Sequence, residues 1–140
     1  MHKAKAVIIT CMDFRFYTAI RDYITQHDLS GSVDRIIIAG GSRDFICPVR
    51  EEFSNYVWTQ LQLSIELHDP DEIIFIDHQD CGGYAQDGLI PKGLDKNKDK
   101  IEHTKHLKKL HKILSKKFPN KIVKYLFLGL DHSIEVIAID

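Results

Sequence analysis

The sequence predicts an α/β fold, in which helices cover a mostly parallel central sheet and a C-terminal β-hairpin adds an antiparallel edge strand. Two observations favour this fold. Four apolar segments are nearly continuous rather than alternating, which is typical of strands buried on both faces of a parallel sheet. Segments with helical periodicity lie between them, as expected for a sheet covered by helices. The 140 residues suit one core, so a single domain is predicted over residues 1–140.

The predicted strands are short runs of Ile, Val and Phe. They are AVIIT at 6–10, RIIIAG at 35–40, EIIFIDH at 72–78 and IVKYLFLGL at 122–130. Residues 131–133 resemble a turn, and IEVIAI at 134–139 is the expected closing strand of the hairpin.

Three helices are predicted between these strands. The first covers 14–27, and the second begins near Cys47-Pro48, since proline is tolerated in a first turn, and ends near His68. The third covers about 99–118 and ends before Pro119. The residues expected on the inner faces of the second and third helices are Phe53, Val57, Leu61 and Ile65, and Ile101, Leu107, Leu110, Leu114 and Phe118.

Composition places the chain among ordinary globular domains, with 44% hydrophobic and 28% charged residues. No apolar run is long enough to cross a bilayer, so no membrane partner is expected. The first residues, MHKAKAVIIT, lack the apolar core of a secretory signal, which predicts a cytoplasmic protein. The three cysteines are few and widely separated, so metal binding or catalysis is expected rather than a disulfide framework.

The segment 92–124 is strongly basic, although the net charge of the chain is only -1. It contains twelve lysines against Asp95, Asp99 and Glu102. We interpret these lysines, with His103, His106 and His111, as the solvated face of the third helix. The alternative is a patch that attracts bicarbonate, an acidic partner or nucleic acid. No nucleic-acid motif accompanies it, so nucleic acid is not an expected partner.

Groups of different chemistry follow the ends of three predicted strands. Cys11, Asp13 and Arg15 follow the first strand, the turn 39–42 follows the second, and the segment 78–83 follows the third. Sites in open α/β sheets form beyond the carboxyl ends of the strands. The sequence therefore predicts that these three groups meet at one edge of the sheet.

Cys11, His78 and Cys81 together offer two thiolates and an imidazole. This ligand set suits Zn²⁺, and three protein ligands leave a fourth position open, as in catalytic zinc sites. Plainer interpretations exist for each part. An H-x-x-C pair arises by chance, and buried cysteines are often small apolar residues. Asp13 and Arg15 alone could form a surface ion pair that contributes little.

Three motifs resemble the β-class carbonic anhydrases. CMDFR resembles the C-x-D-x-R signature of that family, IIIAGG its next strand and turn, and EIIFIDHQDCGG its strand ending in H-x-x-C-G. The motifs occur in the family's order, and the likeness covers about residues 5–85, with an extension through the hairpin at 122–139. The resemblance implies a β-carbonic anhydrase-like domain over residues 1–140 that acts as a homodimer or higher homo-oligomer.

The resemblance also implies a role for each motif residue. Cys11, His78 and Cys81 would be zinc ligands, and Asp13 with Arg15 the adjacent catalytic dyad, in which Asp13 can become the fourth ligand. The amides of Gly40 and Gly41 could hold a bicarbonate-like anion, as amide nests do. The implied activity is zinc-dependent, reversible hydration of carbon dioxide to bicarbonate by a zinc-bound hydroxide.

Other functions fit the same residues. The metal site could act on a related small substrate such as carbon disulfide. Asp13 could fill the fourth zinc position permanently, which would leave a structural or regulatory zinc protein. The basic segment 92–124 could instead make the chain an anion-binding module.

Overall fold

The structure is a computed structural model that describes residues 2–139. Within that range five strands form one sheet in the order β2-β1-β3-β4-β5, in which all neighbours are parallel except β4 and β5. The predicted fold class is therefore confirmed. The strands are β1 (Ala6–Cys11), β2 (Val33–Ile38), β3 (Glu72–His78), β4 (Ile122–Leu128) and β5 (Ile134–Val136).

Helices connect the parallel strands. Two single-turn 3₁₀ helices, Phe14–Phe16 and Gln86–Gly88, accompany them. No helix among residues 2–139 is long and apolar enough to cross a membrane. The α-helices are α1 (Tyr17–Gln26), α2 (Arg43–Ile46), α3 (Glu51–His68), α4 (Gly82–Ala85) and α5 (Lys96–Lys117).

Apolar side chains fill both faces of the sheet, because successive residues of a strand point to opposite sides. From β1, Val7 and Ile9 join the core formed with α2, α3 and α5, whereas Ala6 and Ile8 join the core formed with α1. The central strands β1 and β3 are thus buried on both sides, as their apolar runs predicted.

Strand β2 departs from that expectation because it lies at an edge of the sheet. Its residues alternate between partly buried and exposed positions, and Ile37 is 50% exposed. At the other edge, β5 is shorter than the predicted strand 134–139. It pairs with Leu126–Leu128, and beyond it the Ile137 N–H still donates to the Tyr125 carbonyl.

The second predicted helix begins later than expected, and a separate short helix precedes it. The short helix α2 ends at Ile46, and α3 begins at Glu51. Cys47 therefore lies after a helix rather than at the start of one. The physical reason is Pro48, which disfavours helical geometry in the residue before it; Cys47 has φ −141° and ψ 62°.

The inner faces of α3 and α5 also differ in part from the prediction. Phe53 and Ile101 are exposed rather than buried. On α5 the buried stripe includes Asp99 and His103 ahead of the expected leucines Leu107, Leu110 and Leu114. Two polar residues thus occupy the turn of α5 where the prediction placed an apolar one.

The chain order creates a crevice between β1 and β3. From β1 the chain first adds β2 on one side and then crosses over to add β3 on the other side. Ligands of open α/β sheets bind at such a switch point, outside the carboxyl ends of the strands. Cys11 and His78 are the last residues of these two strands, which places both at this crevice.

Candidate metal centre

Three side chains converge at the switch point. The metal-binding atoms of Cys11, His78 and Cys81 all lie within 4.8 Å of one another. The two sulfur atoms are 3.9 Å apart. Two thiolates bound to one tetrahedral Zn²⁺ at about 2.3 Å would be about 3.8 Å apart, so the pair fits a shared ion.

Cys11 is the more acidic of the two thiols. Its hydrogen bond with Cys81 lowers the pKa of Cys11, and this effect outweighs burial. His78 and the Gly40 N–H, which donates to Cys11 Sγ at 3.4 Å, lower that pKa further. The same hydrogen bond between Cys11 and Cys81, together with burial, raises the pKa of Cys81. A metal cation would replace the proton that the two sulfurs share.

His78 presents a free nitrogen to the two sulfurs. Its Nδ1 lies 2.7 Å from the Gln79 carbonyl oxygen, which can only accept, so Nδ1 carries the proton. In the neutral ring Nε2 then keeps its lone pair; it is buried and has no hydrogen-bond partner among the described residues. A buried polar atom without a partner is costly. A metal ion between Nε2 and the sulfurs would remove that cost.

Asp80 supplies the turn that brings Cys81 back toward His78. Its backbone is left-handed, with φ 61°. Several contacts hold this conformation: the Gly93 N–H donates to Asp80 Oδ1 at 3.0 Å, and Arg15 donates to both Asp80 Oδ2 and the Asp80 carbonyl. Strained backbone of this kind persists only where its surroundings fix it.

Asp13 lies beside the metal-binding cluster but outside it. Its Oδ2 is 3.9 Å from His78 Nε2, farther than the roughly 3.4 Å expected for two ligands of one Zn²⁺. Arg15 Nη2 and Nε donate to the carboxylate at 2.7 and 3.1 Å. This side-chain bonding, and the Arg15 backbone N–H, lower the pKa of Asp13. The carboxylate is thus ionised and turned toward Arg15.

Gly40 and Gly41 form the turn after β2, both with positive φ. The Gly40 N–H bonds to Cys11 Sγ, and the Gly41 N–H bonds to the Ile38 carbonyl. Anion binding by these two amides stays a prediction, and each amide would first have to leave its present acceptor.

This turn packs against Gly83 with no space for a side chain. A Cβ on Gly83 would lie 2.4 Å from Gly40 N and 2.6 Å from Gly40 Cα. We therefore expect Gly83→Ala to force the two turns apart and to lower the free energy of unfolding by about 3 kcal/mol. Urea denaturation followed by circular dichroism measures this change.

Gly82 is the matched control, because a Cβ there meets nothing within 4 Å. We expect Gly82→Ala to change the free energy of unfolding by less than about 1 kcal/mol. Equal unfolding curves for the two alanine variants would contradict the close packing of the turns.

A buried polar network behind the metal-binding residues was not predicted from the sequence. The Tyr84 hydroxyl donates to Ser42 Oγ, which donates to the Asp77 carboxylate at 2.8 and 2.9 Å. His103 Nδ1 lies 2.9 Å from Asp77 Oδ2, and its Nε2 is 3.2 Å from Asp99 Oδ1. All five side chains are buried.

His103 is charged at neutral pH within this network. Burial alone would lower the pKa of His103, but Asp77 and Asp99 together raise it to about 9. The prediction that this histidine lies on the solvated face of α5 is therefore wrong. The available signal was Asp77, an acidic residue inside the apolar strand IIFID, since a buried carboxylate requires a partner.

Cys47 does not join the metal-binding cluster. It packs against the buried apolar cluster of Cys81, Tyr84 and Ile90, and its sulfur is 3.9 Å from His106 Nδ1. Burial raises the pKa of its thiol to about 11. Cys47 is therefore neutral and serves as a comparison for the other two cysteines.

A known family matches nearly the whole chain. The family described as "Putative carbonic anhydrase" matches residues 1–138. An uncharacterized protein of Rickettsia bellii (strain RML369-C) is 28% identical over 137 residues, which cover 98% of this chain and 84% of that protein.

Solved structures share the fold at low sequence identity. A structure from work on two tetrameric β-carbonic anhydrases of Sordaria macrospora has a TM-score of 0.65 and 13% identity, and the alignment covers 99% of this chain and 82% of that one. A β-carbonic anhydrase of Trichomonas vaginalis has a TM-score of 0.63 and 18% identity, with 99% and 84% covered. At these identities the likeness establishes the shared architecture.

Proposed function

The chain belongs to the carbonic anhydrase family just described, and from that membership we propose that it is a zinc-dependent lyase that interconverts carbon dioxide and bicarbonate. The whole chain would act as a single β-carbonic anhydrase-like domain. The observation that supports this most strongly is the meeting of two thiols and a free imidazole nitrogen with an ionised carboxylate beside them.

Cys11, His78 and Cys81 are the proposed zinc ligands. The 3.9 Å between their sulfurs fits one tetrahedral ion, and His78 Nε2 lacks any other partner among the described residues. When bound, Zn²⁺ supplies a Lewis acid that lowers the pKa of water toward neutrality. Because two thiolates donate charge to the metal, the groups around the fourth position become more important for orienting the reactants.

Asp13 and Arg15 are the proposed catalytic dyad. The Asp13 carboxylate can accept a hydrogen bond at the fourth position and so hold the nucleophile in one orientation. Arg15 fixes that carboxylate through two of its nitrogens, which adds geometric specificity. This pairing also keeps Asp13 from acting as the fourth ligand, and it supports an open rather than a filled metal site.

A homo-oligomer is part of the proposal. Met12, Phe14 and Tyr17 lie next to the site and are 67%, 87% and 61% exposed. Large apolar side chains clustered on a surface mark a protein interface, and a second copy of the chain is the proposed occupant. Light scattering at micromolar concentration should give at least twice the mass of one chain, and the mass of a single chain would exclude the oligomer.

A reducing compartment such as the cytoplasm is the proposed location, because Cys11 and Cys81 bind metal only as reduced thiolates. Cell fractionation would test this location, and recovery of the protein only from an oxidising compartment would contradict it.

Stopped-flow measurement of carbon dioxide hydration tests the activity. We expect zinc-loaded protein to accelerate hydration between pH 6 and 9, and metal-free protein to lose that acceleration. No rate above buffer across this range would refute the proposed activity. A parallel assay with carbon disulfide would show whether the protein acts on that alternative substrate.

A further inference from the structure

The segment from His78 to Cys81 is held from both ends by one turn of α5. Asp77 precedes the first proposed ligand, and Asp80 precedes the second. Asp77 contacts His103, and the Asp80 backbone contacts Asp99. Asp99 and His103 are four residues apart, so their side chains lie on the same face of the helix.

The first contact fixes the end of β3. His103 Nδ1 donates to Asp77 Oδ2 at 2.9 Å, and Ser42 Oγ donates to the same carboxylate. The His103 ring also packs against Tyr84, with ring centroids 4.4 Å apart. These contacts lock the Asp77 side chain, and with it the backbone from which the His78 imidazole projects.

The second contact fixes the left-handed turn. The Asp80 N–H donates to Asp99 Oδ2 at 2.8 Å, and Asp99 Oδ1 pairs with His103 Nε2. Asp80 in turn accepts hydrogen bonds from Arg15 through its side chain and its carbonyl. A continuous series of contacts therefore leads from α5 through Asp80 and Arg15 to the Asp13 carboxylate.

This arrangement is costly for a purely structural role. Placing an imidazolium between two carboxylates in the interior requires the desolvation of three charges, and apolar residues of similar size often stabilise a core at least as well. This desolvation cost is explained if the charged groups hold other residues in position. Here both carboxylates act on positions next to proposed metal ligands.

We propose that Asp99 and His103 are positioning residues of the metal centre, which hold Asp77 and the Asp80 turn so that His78 and Cys81 face Cys11. This proposal rests on the zinc site of the proposed function. It assigns to α5 a role in metal affinity that does not require contact with the metal.

Metal affinity of Asp99→Ala tests the proposal. We expect its zinc affinity, measured by competition with a chelator at 25 °C, to fall roughly 10- to 100-fold, the range typical of groups that orient metal ligands. In Co²⁺-loaded protein, the thiolate-to-cobalt absorption should shift or weaken. Asp99→Leu, which restores buried volume without an acceptor, replaces the alanine variant if that variant does not fold.

Leu114→Ala is the control for a loss of stability alone. Leu114 is fully buried on the same helix but lies outside the polar network. We expect this variant to melt at a lower temperature than wild type and to retain wild-type zinc affinity and cobalt absorption at 25 °C. Equal losses of zinc affinity in Leu114→Ala and Asp99→Ala would overturn the positioning role.

Asp99→Asn should rescue the site. An amide at this position can still accept from the Asp80 N–H, which is the hydrogen bond by which Asp99 holds the turn, so its zinc affinity should stay within about threefold of wild type. Wild-type affinity in Asp99→Ala and Asp99→Leu would overturn the inference and leave the proposed function intact. Failure of the wild-type protein to bind zinc or cobalt would overturn both.

Discussion

Replacement of Cys11 by serine is expected to reduce bound zinc from about one ion per chain to less than about a tenth after dialysis against a weak chelator. A serine hydroxyl is a far poorer zinc ligand than a thiolate. His78 and Cys81 would remain as two ligands of an incomplete site. Metal analysis of the dialysed protein measures the loss, and carbon dioxide hydration should disappear with the metal.

Cys47→Ser is the matched control for this substitution. Cys47 lies outside the three-residue cluster, and its thiol is neutral. We expect the Cys47 variant to retain one zinc ion per chain. Equal zinc retention in the Cys11 and Cys47 variants would show that the metal binds somewhere other than the switch point.

The second large effect is expected from Asp13→Asn. The amide keeps the size of the side chain but loses the charge that Arg15 binds. We expect carbon dioxide turnover to fall roughly 100-fold or more, the range typical of groups that orient or accept a proton during reaction. Zinc content should be unchanged, because Asp13 lies outside the ligand cluster. Stopped-flow rates measure the turnover, and metal analysis of the same samples measures the zinc content.

Asp22→Asn provides the comparison for Asp13. Asp22 also pairs with a neighbouring arginine, Arg21, but both side chains are largely exposed on α1, and Asp22 is not part of the metal-binding cluster. Turnover of this variant should equal that of wild type. Unchanged turnover in Asp13→Asn would show that the dyad has no catalytic role, whereas loss of zinc from that variant would make Asp13 a ligand.

Much of the fold follows from patterns in single segments. The run EIIFIDH predicted the bounds of β3 correctly, because a strand buried on both faces has few polar residues to obscure its ends. RIIIAG is also rich in isoleucine, yet β2 lies at a sheet edge. Strand order is decided by the crossover connections. An apolar run therefore does not predict whether its strand has one neighbouring strand or two.

The candidate site was predictable where its residues follow strand ends. Cys11 and His78 end adjacent parallel strands, so sheet geometry brings them together despite their separation in the sequence. Asp99 and His103 carry no comparable signal. Their burial depends on how α5 packs on the rest of the domain, and the sequence interpretation placed His103 on the solvated face of that helix. The carboxylates of Asp77 and Asp99 together make the buried position of His103 favourable.

X-ray absorption at the zinc edge is the most direct test of the central claim that Cys11, His78 and Cys81 bind zinc. For zinc-loaded wild-type protein near pH 8, we expect two sulfur scatterers at about 2.3 Å and one or two nitrogen or oxygen scatterers at about 2.0–2.1 Å. The Cys11→Ser variant should lose this pattern. A first shell of oxygen and nitrogen without sulfur would contradict the account.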